Sequence, residues 1–193
     1  MTSRIFLSVF VVASLLMAGC SESTVSSSTK TATRALSIEA ITAEAKGFSV
    51  GSTMSARTVY VFFDAQCPHC GALWYAAKPL KSQARFVWIP VALMNATSSS
   101  QGAALLAASD GAAAMDAHEA SMIAKGGGIG AASNSDAQKE VVKKNTELMT
   151  GFGFASIPTI VAINAQTGAL VKQEGAMQTA DLARFLGLQV PVP

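Results

Sequence analysis

The sequence predicts an α/β domain in which a β-α-β unit and a β-β-α unit flank a helical block. Two apolar strand runs around a helix predict the first unit, and a strand-turn-strand pattern before an amphipathic helix predicts the second. A 27-residue Ala-rich stretch between them carries no strand signal and supplies the block. With 193 residues, the chain has room for one ordinary domain. Half the residues are apolar and 13% are charged, which excludes a disordered chain. A net charge of +2 leaves no basic footprint for nucleic acid.

The N-terminus reads as an export leader. Arg4 precedes the apolar run from Ile5 to Met17, which is short for a membrane span and fits a secretory h-region. Met17-Ala18-Gly19-Cys20 then looks like the lipobox of bacterial lipoproteins, which implies cleavage before Cys20 and lipid on its sulfur. A plain cleaved signal peptide is the alternative. Ser21 to Arg34 holds nine Ser or Thr in fourteen residues and reads as a tether. The expected organisation is a leader over 1–19, a lipid-anchored tether over 20–35, a linker helix and lead-in over 36–57, and the folded domain over 58–190.

Leu36 to Lys46 has helical spacing, with Gly47 as a candidate C-cap. Thr58 to Phe63 is β-branched and aromatic throughout, as a strand buried on both faces requires. Residues 64–70 turn into a helix reaching about Ser82; Pro68 suits its first position, and Pro79 kinks its end. Arg85 to Leu93 is a second strand, with Pro90 pointing to an edge or a bulge. Residues 99–125 are helical with a break at Asp110-Gly111. Ser135 with Gln138 forms a capping box before a helix whose apolar face is Ala137, Val141, Leu148, Met149 and Phe152. A hairpin of Pro158–Asn164 with Ala169–Glu174, then a helix over Gln178–Leu186, complete the chain.

Chemistry concentrates at Cys67-Pro68-His69-Cys70, where a strand hands over to a helix. Positions i and i+3 of a helix share a face, so the two sulfurs can close a disulfide. The first lies at the helix N-terminus, where free backbone N–H groups and the dipole favour a thiolate. Cys67 is therefore the candidate nucleophile and Cys70 the resolving thiol. An imidazolium at His69 would stabilise the thiolate further; a solvated loop histidine is the alternative. Zinc would need four ligands, and outside the leader only His118 remains to help, so neither metal nor cofactor is expected. Asp64 is either a turn cap or an acid beside the sulfurs.

The stretch TVYVFFDAQCPHC, with PTIVAI after Ile157-Pro158, resembles thioredoxin-fold thiol:disulfide interchange proteins of the Dsb group. The likeness is greatest to the DsbG and DsbC branch, through Asp64, through Asn145–Met149, Gly153 and Ile157-Pro158, and over residues 48–188. Pro68-His69 is instead the dipeptide of DsbA. The resemblance implies a thioredoxin fold with a helical insertion between its βαβ and ββα halves. It also implies a cis bond before Pro158, in a loop facing Cys67 whose backbone pairs with client protein. Pro68, His69 and Asp64 are then the redox-tuning positions.

Three departures stand out. Ile157 replaces the threonine of DsbC and DsbG. Val61 stands where thioredoxin and DsbA place a buried acid, leaving proton handling at Cys70 to water or another group. Only 37 residues separate Cys20 from Thr58, too few for the dimerisation domain of isomerase members, which implies a monomer.

The expected function is a periplasmic thiol:disulfide oxidoreductase acting on exported cysteine-containing proteins. Its expected partner is a membrane electron donor or acceptor of the Dsb type, and it would be held by a lipid anchor with mild preference for the outer membrane. A DsbA-like dithiol oxidase, a tethered reductase for cytochrome c assembly, and a non-enzymatic binding lipoprotein or metal chaperone are the alternatives. Gly126–Gly130 reads as a connector, Met115 and Met122 as core, His118 as partly exposed, and Trp74 and Tyr75 as packing residues, with a ring beside the active site as part of a peptide groove the alternative.

Overall fold

Burial of the Thr58–Phe63 run organises the domain. In the computed structural model, which describes residues 34–132 and 135–191, this strand (β2) is central and buried from Val59 to Phe63. It pairs in parallel with β3 (Arg85–Pro90) on one side and antiparallel with β4 (Thr159–Ile163) on the other. Helix α2 (Pro68–Ala77) and a 3-10 turn (Lys78–Leu80) make the crossover between β2 and β3, the turn falling where Pro79 interrupts the helix. β5 (Leu170–Glu174) extends the sheet beyond β4 as a hairpin, and helix α6 (Thr179–Leu186) ends at Gly187, in the left-handed conformation at φ 69°.

The segment 36–57 is not a linker. Residues Phe48–Gly51 form a further strand, β1, antiparallel to β3, giving the sheet order β1-β3-β2-β4-β5. Helix α1 (Ile38–Glu44), capped by Ser37 and ended at Ala45 rather than Gly47, buries Ile41 completely beside Tyr60 and Phe62. Both belong to one compact unit with the rest of the described residues. β1 also corrects the reading of Pro90: β3 is an inner strand. Its pairing with β1 ends at Trp88, so Pro90 lies where no β1 partner needs its missing N–H.

Three helices fill the insertion: α3 (Ala96–Ala107), α4 (Gly111–Ile123) and α5 (Asp136–Gly151). A reciprocal capping box forms at Asn95 and Ser98, whereas Ser135 makes no side-chain cap. On α5 the buried positions are Val142, Asn145, Leu148 and Met149; Ala137 is exposed. Asn145 is buried because its amide ties the sheet to the helix, donating to the carbonyls of Lys46 and Pro90 and accepting from Lys46 N–H.

The sheet separates two cores. On the α2 and α6 face, Phe63, Trp74, Trp88, Leu80 and Leu182 pack together, with the Trp74 and Trp88 rings 5.0 Å apart edge to face. On the α1 and α5 face lie Ile41, Phe62, Leu148, Phe152 and Phe154. Among the described residues, no helix is long and apolar enough to cross a membrane. The leader, Cys20 and the tether up to residue 33 lie outside the described residues.

Candidate active site

The site begins where β2 ends. Asp64 follows the last strand residue and is fully buried. Its Oδ1 accepts the Gln66 N–H at 2.9 Å, and its Oδ2 accepts the N–H groups of Leu93 and Met94 at 2.7 and 2.9 Å. Its carbonyl accepts the Cys67 N–H at 3.0 Å. Asp64 is thus a cap that locks the turn before Cys67 to the segment after β3, and its charge reaches Cys70 as well.

Cys67 is the N-cap of α2, Pro68 its first residue, and Cys70 completes the first turn. Both cysteines are free and buried, Cys70 entirely, while Pro68 and His69 are exposed. The Cys67 thiol is lowered to about 6, first by a hydrogen bond from the Cys70 thiol. Burial opposes this, and the backbone N–H groups of Cys70 and His69 and the His69 charge add to it. Burial and the Cys67 charge push the Cys70 thiol far up. One sulfur is therefore an anion near neutral pH and its neighbour a held thiol, the asymmetry that directs thiol-disulfide exchange to the outer sulfur.

The bond between Ile157 and Pro158 is cis. The Cys67 sulfur lies 3.9 Å from the Ile157 carbonyl oxygen, Pro158 is buried and Ile157 is half-buried. An apolar cavity of about 330 Å³ opens beside Cys67, with Tyr75, Glu119, Met122 and Ile123 in its walls. No group of metal-ligating side chains forms among the described residues.

A family model for the thioredoxin-like domain matches residues 51–189. The chain belongs to the thioredoxin-like family. It is 34% identical over 145 residues to the thiol:disulfide interchange protein DsbG of Pseudomonas aeruginosa, covering 71% of this chain and 54% of that protein. It thus spans about half the length of that relative. The thioredoxin-like fold recurs in the catalytic domain of Proteus mirabilis ScsC, with a TM-score of 0.57, 16% identity, and coverage of 77% of this chain and 96% of that one. A disulfide interchange protein from Neisseria gonorrhoeae matches with a TM-score of 0.55 and 21% identity, over 74% and 94% of the two chains.

Within this thioredoxin-like site, two residues of α4 differ from the sequence reading or escape it. His118 is fully buried rather than partly exposed. Its Nδ1 accepts the Ile129 N–H at 3.2 Å, so Nε2 carries the proton and donates to the Ala65 carbonyl at 2.7 Å. Burial lowers its pKa, and the neutral ring pins α4 to the turn before Cys67. Glu119, also buried, faces Gly71 of α2 and was not singled out at all. The signal for it was its place between Met115 and Met122, four residues after one and three before the other, an acid on the inward face of a helix. Trp74 is core, with its indole N–H on Asp116, whereas Tyr75 joins the cavity wall.

Proposed function

We propose that the chain is a thiol:disulfide oxidoreductase that exchanges disulfides with exported proteins through Cys67 and Cys70. The observation that carries this reading is the split between the two sulfurs: a Cys67 thiol lowered to about 6 at a helix N-cap and a Cys70 thiol held protonated behind it. The Cys67 thiolate attacks one sulfur of a client disulfide, and the other client sulfur leaves with the bonding pair. Cys70 then attacks Cys67 in the mixed disulfide and releases the reduced client; the reverse sequence oxidises a client dithiol. Pro68 and His69 tune the thiolate from the first turn, Asp64 fixes the turn, and Ile157 with Pro158 forms the opposite wall against which an extended client segment lies.

The DsbG likeness supports a periplasmic setting and exchange of electrons with a membrane partner of the Dsb type, and the lipobox-like Met17–Cys20 supports Cys20 as a lipid anchor. One observation favours a dithiol oxidase as the second reading: stabilising the Cys67 thiolate stabilises the reduced pair and makes the oxidised pair a stronger electron acceptor.

The test is a Cys70→Ser variant expressed in the exported compartment. It should accumulate clients joined covalently to Cys67 and lost on reduction, and a Cys67→Ser, Cys70→Ser variant should accumulate none. Absence of adducts from the single variant overturns the reading.

A further inference from the structure

Val61 leaves the sheet beneath the cysteines without an acid, yet a buried acid approaches them from the insertion. Glu119 is 5% exposed, and its carboxyl lies against the first turns of α2. It shares the wall of the 330 Å³ cavity with Cys67. Its carboxyl fills the space that a side chain at Gly71 would take: a Cβ there would lie 2.9 Å from the Glu119 carboxyl carbon.

Resting on the oxidoreductase reading, we propose that Glu119 is the proton-exchange group of this site. It gives its proton to the client thiolate expelled when Cys67 attacks a client disulfide. It takes the proton back when the second client thiol frees Cys67 from the mixed disulfide.

The step balances. The Cys67 thiolate bonds to one client sulfur, the client S–S bond breaks, and the departing sulfur leaves with the electron pair and receives the Glu119 proton. Cys70 then displaces the first client sulfur, which leaves with the Cys70 proton. The protein ends as a disulfide with a Glu119 carboxylate, and the client as two thiols. The groups around Glu119 suit this role. Asp116 is engaged by Lys78 and the Trp74 indole, His118 by Ala65 and Ile129, and Asp64 by three backbone amides. Cys67, Cys70, exposed His69 and the cavity-lining Tyr75 remain on α2. Burial, and then the Cys67 charge, raises Glu119 to about 7, so it holds its proton while Cys67 is a thiolate and yields it once that charge is spent.

Two small disulfides separate this role from a structural one. Glutathione disulfide expels a basic alkyl thiolate that profits from a proton donor, whereas an aromatic disulfide such as 5,5′-dithiobis(2-nitrobenzoate) expels a thiolate that does not. For the reduced protein near neutral pH, Glu119→Gln should lower the ratio of the glutathione-disulfide rate to the aromatic-disulfide rate by about tenfold or more. Glu119→Asp should recover part of it. An unchanged ratio, whether or not both rates fall, overturns the proposal. A wild-type protein that exchanges with neither probe overturns the oxidoreductase reading and this proposal together. Should Glu119→Gln not fold, the Glu119 carboxyl is titrated by NMR in the wild type; its midpoint should be higher in the reduced form, and equal midpoints overturn the proposal.

Discussion

Glu119 of α4 and Gly71 of α2 are packed so closely that the carboxyl of one stands where the side chain of the other would begin. The insertion is thereby fitted to the first turn after Cys70, and His118 one residue earlier fastens the same helix to Ala65. The helical block is a wall of the candidate active site as well as an addition to the fold.

Gly71→Ala should reveal this fit. In a helix interior Ala is favoured over Gly by about 1 kcal/mol, yet here the added methyl meets the Glu119 carboxyl. The carboxyl is the free end of a flexible side chain and can swing aside, so we expect Gly71→Ala to gain less than that and Glu119→Ala to restore the gain, with a coupling of about 0.5 kcal/mol or more in a double-mutant cycle. Urea denaturation of the four proteins measures it; additive effects would contradict the packing.

Asp64→Ala should be severe. It leaves the amides of Gln66, Leu93 and Met94 without their acceptor in a fully buried position. With each stranded donor costing about 1–3 kcal/mol, a loss of about 3 kcal/mol or more is expected. Asp64→Asn should lose less, since one amide oxygen still accepts. Denaturation midpoints of the reduced proteins give the comparison.

His118→Ala should destabilise by about 2–4 kcal/mol through two lost hydrogen bonds and a cavity. Because the ring is held neutral, the variant should not remove an ionisation from the pH profile of exchange. Loss of a limb near pH 6–7 would show instead that His118 titrates in the reaction.

Cys67 links pH to the stability of the reduced protein. Its thiol is lowered to about 6 in the folded state, so the unfolded state binds the proton more tightly. The stabilisation is complete above the unfolded value of about 8.5 and is lost as pH falls through about 6. Relative to Cys67→Ser, the reduced protein should gain stability between those limits, as read from denaturation at several pH values. A flat difference would contradict a stabilised thiolate.

What the sequence made legible was local. The Thr58–Phe63 run and Pro68 at a helix start carry their meaning within a few residues and lie where expected, whereas the cis bond before Pro158 was implied by the family resemblance alone. β1 was hidden because its four residues end in glycine and owe their conformation to pairing with Arg85–Trp88, more than thirty residues away. Ser135 and Gln138 had the residues of a capping box, but tertiary placement gave that geometry to Asn95 and Ser98. Glu119 and His118 read as polar positions on an Ala-rich helix, because only the docking of α4 against α2 and the Ala65 turn buries them.

The central claim is that Cys67 ionises far more readily than an ordinary thiol because the first turn of α2 surrounds its sulfur with donors. The direct measurement is the pH dependence of thiolate absorbance in the reduced protein, with Cys67→Ser subtracted. Half-ionisation near pH 6 is the predicted result; a midpoint at the ordinary thiol value of about 8.5 would contradict it.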